Sequence, residues 1–194
     1  MKKSFLFIVL LCALCSLSSC DTGSTFTQKG ISYQIIDENS VEVKGYDPLL
    51  FGFMDKFKKS LDIPSTVSYK GSEYTVTSIG ENAFVACLAL KSVDLPDGLI
   101  SIGDYAFLSC PSLTSVTLPD GVESIGDYAF LNCVSLSSVN IPESVKSIGK
   151  GAFRLCSSLT SVDLPKGVIS IGEGAFDGFD GMTSATVPFD TVVE

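Results

Sequence analysis

Between Ser78 and Gly178 the apolar positions recur every 23 residues. Ile79, Ile102, Ile125, Ile148 and Ile171 form one column. Phe84, Phe107, Phe130, Phe153 and Phe176 form a second. Leu90, Leu113, Leu136 and Leu159 form a third, continued by Met182. The segments SIGENAF, SIGDYAF (twice), SIGKGAF and SIGEGAF open the successive copies, and the consensus reads S-I-G-x-x-A-F-x-x-C-x-x-L-x-S-V-x-L-P-x-G-V-x. A fixed period of this length predicts a solenoid, in which one coil cannot bury its apolar side alone but stacked coils bury it for each other. Inside a coil, Val116 and Leu118 alternate with Ser115 and Thr117, which predicts a half-buried strand ended by the turn Pro119-Asp120-Gly121. Gly103 opens a stretch in which Ala106, Phe107 and Cys110 share one face, the pattern of a short helical turn, with Asp104 near its N-terminus. The predicted class is a mostly β α/β solenoid of about five 23-residue coils.

The chain outside the repeat divides into a leader (1–19), a tether (20–29) and an N-terminal capping region (30–76), ahead of the repeat region with its degenerate last coil (77–194). In the cap, Ile31-Ser-Tyr33-Gln-Ile35 and Val41-Glu-Val43 alternate around Asp37–Ser40 and predict a hairpin. Leu50, Phe53, Met54, Phe57 and Leu61 keep helical spacing. Tyr69-Lys70-Gly71 is a turn signal leading into the first full coil. At the far end Met182–Pro188 is a worn copy of the repeat strand. Either it caps the solenoid or it leaves an open edge, and an open edge invites end-to-end self-association.

The in-register elements I-G-x-x-A-F-x-x-C and L-x-S-V-x-L-P resemble the BspA-like leucine-rich-repeat family of bacterial surface proteins over about residues 63–188. The resemblance implies a right-handed superhelix displayed at the cell surface. It also implies a role in protein binding or adhesion, with host matrix proteins such as fibronectin and fibrinogen as expected partners.

The leader fits that setting. Lys2 and Lys3 precede an apolar run from Phe5 to Leu17, too short to span a bilayer comfortably as a helix, which takes ~20 residues. The run ends in Leu17-Ser18-Ser19-Cys20, which resembles a bacterial lipobox with Cys20 as the lipid acceptor. The expected location is the cell envelope, as an outer-membrane lipoprotein at the surface, with the membrane contacted through the lipid only.

Composition narrows the chemistry. The net charge is −9, without a Lys/Arg cluster, which argues against nucleic acid. There is no histidine, so imidazole-based catalysis is excluded and an enzyme is not expected. No metal or other cofactor is expected beyond the lipid on Cys20. Cys87, Cys110, Cys133 and Cys156 fall in one column, for which buried thiols, a bridge or two, and a metal site are the readings to weigh. Parallel Cβ vectors at the ~4.8 Å coil spacing lie beyond the usual disulfide separation, and a column does not converge on a point as zinc ligands must, so buried thiols fit best. Asp177-Gly-Phe-Asp180-Gly lacks the spacing of a calcium loop.

The invariant Ser92, Ser115, Ser138, Ser161 and Ser184 read as small residues on a crowded strand face. Recognition is expected where the copies vary on the outward, concave side of the strands. These positions are Asp94, Thr117, Asn140 and Asp163, beside Lys91, Thr114, Ser137 and Thr160, with Thr186 and Thr183 continuing the two columns. Tyr105 and Tyr128, on the helical side of the coil, are the alternative anchors. Two functions suit such a chain: an adhesin, or a structural partner in the envelope with no host ligand.

Overall fold

The structure, a computed structural model, describes residues 23–46 and 59–178, together with the backbone of two further strands at 184–186 and 192–193. The leader, Cys20 and the helical reading of Leu50, Phe53, Met54 and Phe57 lie outside the described residues.

Each coil contributes two strands, one short and one slightly longer. The short strands are the Ser-Ile pairs: the end of β6 (Ser72–Ile79), then β8 (Ser101–Ile102), β10 (Ser124–Ile125), β12 (Ser147–Ile148) and β14 (Ser170–Ile171). They pair in parallel, Ser on Ser and Ile on Ile. The longer strands are β7 (Ser92–Asp94), β9 (Ser115–Thr117), β11 (Ser138–Asn140) and β13 (Ser161–Asp163). The columnar Ile, Phe, Cys, Leu and Val side chains of the described coils point into one continuous core; Phe107, Cys110, Leu113, Ile125 and Phe130 are all buried. The rings of Phe84, Phe107, Phe130 and Phe153 stack with successive centroids 5.3, 5.3 and 5.2 Å apart.

No α-helix occurs among the described residues, so the helical turn expected after Gly103 is corrected to a run of turns. Tyr105 and Ser109 sit at φ +55° and +56°, and the equivalent Tyr128 and Asn132 at +55° and +62°. Left-handed residues at this spacing prevent the helix. The freed N–H groups bond sideways instead: Tyr105 donates to the carbonyl of Asp127, Phe107 to Ala129 and Ser109 to Leu131, at 2.7–2.9 Å. The repeating glycine after Ser-Ile has a different reason. A Cβ on Gly126 would stand 2.6 Å from the backbone of Gly103 and Asp104, so only glycine lets the coils close up. The carboxylate of Asp104 then accepts the N–H of Asp127, and that of Asp127 the N–H of Lys150, both at 2.7 Å.

The N-terminal end extends the same sheet. β1 (Thr25–Gln28) pairs antiparallel with β2 (Ile31–Ile35), and β2 with β3 (Ser40–Tyr46), which confirms the expected hairpin. β3 then lies parallel to β6, with β5 (Thr66–Tyr69) folded back on β6. The tether reading therefore does not hold for Thr25–Gln28, which is a strand. Lys29-Gly30 and Lys70-Gly71 both have positive φ and make the two-residue turns of β1–β2 and β5–β6. Leu61, read as the end of a helix, belongs instead to β4 (Ser60–Asp62), which pairs in parallel register with β7. At the other end β15 (Ser184–Thr186) pairs with β13, so the worn copy does form its strand, and β16 (Val192–Val193) adds a further parallel strand to β14.

None of the four column cysteines forms a disulfide, and all four are buried. The thiols of Cys110, Cys133 and Cys156 donate to the carbonyls of Phe84, Phe107 and Phe130, each at 3.2 Å. From an ordinary value of 9.0 the Cys110 thiol is pushed up to about 12, first by its hydrogen bond with Cys133 and then by burial. Burial raises Cys156 to about 12 as well. Above pH 9 the unfolded chain releases these protons while the folded chain keeps them, so their contribution is complete below pH 9 and is lost toward pH 12. A thiol reagent at neutral pH is expected to titrate none of the four in the native protein and all four in denaturant. Denaturant midpoints are expected to fall as pH rises past 9.

A polar sheet face as the candidate interface

The longer strands alternate outward, inward, outward, with the inward residue buried in β7, β9 and β13 and half-buried (Val139) in β11. Val93, Val116 and Val162 point into the core, and the residues on either side of them point out. The registers Ser115↔Ser138 and Thr117↔Asn140 place equivalent side chains side by side. Asp94, Thr117, Asn140 and Asp163 thus form one exposed column, and Lys91, Thr114, Ser137 and Thr160, just ahead of the strands, form a second. All eight residues expected at the interface are exposed, and the structure brings them together on one side of the solenoid.

Two details change the expectation. The serines Ser92, Ser115, Ser138 and Ser161 are exposed on this same side, so they belong to the face as expected but are not crowded there. The hydroxyls of Thr114 and Ser137 each donate to a carbonyl of the coil before, those of Lys91 and Thr114, at 3.1 Å. Their protons help to hold the stack, which leaves their oxygens to accept.

Sequence reasoning missed the face's first row. β4 sits beside β7 in the register Ser60↔Ser92 and Asp62↔Asp94, and Lys91 donates its N–H to the carbonyl of Lys59 at 2.7 Å. Lys59, Ser60 and Asp62 are exposed. The signal was present: Lys59-Ser-Leu-Asp-Ile-Pro64 repeats Lys91-Ser-Val-Asp-Leu-Pro96. The face runs from two rows bearing Lys and Asp to rows rich in Ser, Thr and Asn.

Tyr105 and Tyr128 are not free anchors. Their rings stack on each other with centroids 5.3 Å apart and planes at 14°. The Tyr128 ring also covers Gly151, where a Cβ would come within 2.5 Å of it. Both tyrosines are half-buried, and ring faces that are covered in this way are not offered to a partner. Among the described residues no group of His, Cys, Asp or Glu is arranged to hold a metal ion.

The family pattern described as a BspA type leucine rich repeat region matches residues 77–193 in six copies. The chain belongs to this family. The pattern counts six copies over these residues, against the five or so coils that the 23-residue period predicts. Among solved structures, a leucine rich repeat protein of T. pallidum is 28% identical, with 88% of this chain and 86% of that chain covered and a TM-score of 0.68. A leucine rich cell surface protein of Faecalibacterium prausnitzii is also 28% identical, with a TM-score of 0.65. That match covers 89% of this chain and about half, 51%, of that one. The pneumococcal vaccine antigen PcpA, 20% identical with a TM-score of 0.65, shares the fold. Comparison with curated proteins gives no match. The chain is a leucine-rich-repeat protein of the bacterial surface type, a fold and family of binding scaffolds.

Proposed function

We propose that this protein is held at the bacterial surface by a lipid on Cys20 and binds a protein partner on the exposed face of β4, β7, β9, β11 and β13. Adhesion to a host matrix protein is the specific role we assign to it. The observation that carries the reading is the rigid ladder of Lys, Asp, Ser, Thr and Asn side chains held over buried valines and leucine. Such a face adds many weak contacts with little ordering cost. It lacks Trp, and its polar character favours a partner met through hydrogen bonds rather than an apolar anchor. The surface position of the F. prausnitzii relative supports the location.

Two measurements test this. Intact cells should bind an antibody to the folded domain and lose it to added protease; a protein shielded from both would instead be an envelope partner. The chain from Asp21 onward, which keeps every described residue, should bind saturably to at least one of immobilised fibronectin, fibrinogen, laminin or collagen. Failure on all four would remove the matrix-adhesion role.

A further inference from the structure

The last position of the repeat, just ahead of each Ser-Ile strand, carries Ile100, Glu123, Lys146 and Ile169 in four successive coils. All four are exposed, Ile100 at 47% and Ile169 at 60%. Their backbones form one ladder: Glu123 donates its N–H to Ile100, Lys146 to Glu123 and Ile169 to Lys146, each at 2.8 Å. The row therefore has the strand spacing of about 4.8 Å. The row directly precedes Ser124, Ser147 and Ser170, which line a groove, and its exposed side chains form a ridge along that edge, with Ile100 also lining a cavity beside Ile36. Among the described residues neither Glu123 nor Lys146 has an ion-pair partner within the chain.

The order along the ridge is apolar, acidic, basic, apolar. Reversed, it reads apolar, basic, acidic, apolar, which is its own complement. Two copies laid antiparallel, about a two-fold axis passing between Glu123 and Lys146, set each Ile100 on Ile169 of the second copy and each Glu123 on Lys146 of the second copy. We propose that this ridge is an isologous interface through which two copies of the chain pair side by side and antiparallel. The inference stands apart from the protein-binding reading, because the ridge belongs to the other sheet. Self-complementarity is what a two-fold interface demands, and residue order alone supplies it here. An aliphatic side chain exposed at each end of a charged pair gains by being covered, and covering it removes water from the charges. The neighbouring ladder does not share the symmetry: Asp104 would stand opposite Glu173 of the second copy. The contact is therefore confined to the ridge, about 14 Å long, and the dimer is weak.

Sedimentation equilibrium on the purified chain from Asp21 onward, at concentrations up to about 1 mM, tests the proposal. The wild type should pass from monomer to dimer and shift back toward monomer in high salt. Glu123→Lys alone and Lys146→Glu alone should each abolish the dimer. Mixed in equal amounts, they should form a heterodimer, because a ridge with two lysines then meets one with two glutamates. The double reversal in one chain should restore the homodimer. Every substituted position is exposed, and recovery on mixing shows that each single variant is folded. A wild type monomeric across the range, a dimer indifferent to either single reversal, or a mixture that stays monomeric would each overturn the proposal.

Discussion

Replacing Phe130 with alanine is expected to cost about 3–5 kcal/mol of stability. Phe130 is fully buried, and its ring lies between those of Phe107 and Phe153 at 5.3 and 5.2 Å, within 5° of parallel to each. The change opens a cavity that backbone movement cannot close, because the coil on each side is tied to its neighbour: Phe107 donates to Ala129 and Phe130 to Ala152, both at 2.7 Å. It also breaks two ring contacts, each worth roughly 0.5–1.5 kcal/mol beyond buried area. In a solenoid such a loss acts on the interfaces with both neighbouring coils. Set against a typical stability of about 5–15 kcal/mol, it is a large fraction of the whole. Urea unfolding followed by circular dichroism measures it. The same change at Phe176, half-buried near the end of the described column, should cost less. Equal costs at the two positions would mean that stacking is not what holds the coils.

Gly126→Ala is expected to cost about 1–3 kcal/mol, although it adds a single methyl group. Glycine-to-alanine changes that meet no clash usually stabilise by about 0.4–1 kcal/mol through the unfolded state. Here the sign reverses. The new Cβ would meet Gly103 and Asp104 backbone atoms at 2.6 Å, and no rotamer can relieve a contact with backbone. The coils cannot separate either, because Gly126 donates its N–H to Ile102 at 2.8 Å and Asp127 donates to the Asp104 carboxylate. Thermal unfolding reads the effect, and an unchanged or raised midpoint would show that the coils are less closely stacked than the structure has them.

The parts of the fold that recur were legible, because a repeated column states its environment five times over. The buried Ile, Phe, Cys, Leu and Val positions, the half-exposed strand and the stop at proline all follow from alternation and period, and so does the outward face. What occurs once was harder to read. The insertion of β5 and its turn moves the Lys59–Pro64 strand away from the 23-residue register, so its likeness to Lys91–Pro96 goes unnoticed. Thr25–Gln28 is polar enough to pass for a tether, but the same Lys-Gly pair follows it as follows Thr66–Tyr69, and both pairs adopt positive φ. The spacing of Ala106, Phe107 and Cys110 suggested a helix because apolar periodicity reports which side chains face inward. It does not report that Tyr105 and Ser109 turn left-handed and send their N–H groups to the next coil. Tyr105 and Tyr128 looked like anchors for a partner because stacking on a neighbour's copy cannot be seen in one copy alone.

The central claim is that recognition sits on the strand face and not elsewhere on the solenoid. Surface plasmon resonance over immobilised fibronectin or whichever matrix protein binds, run with the chain from Asp21 onward, tests it most directly. Wild type is compared with Thr117→Lys/Asn140→Lys/Asp163→Lys, which alters three exposed positions of the face, and with Glu123→Lys, which alters the ridge of the other sheet. The account predicts saturable binding that the triple variant loses and the ridge variant keeps. Full binding by the triple variant would contradict it and move the site off this face.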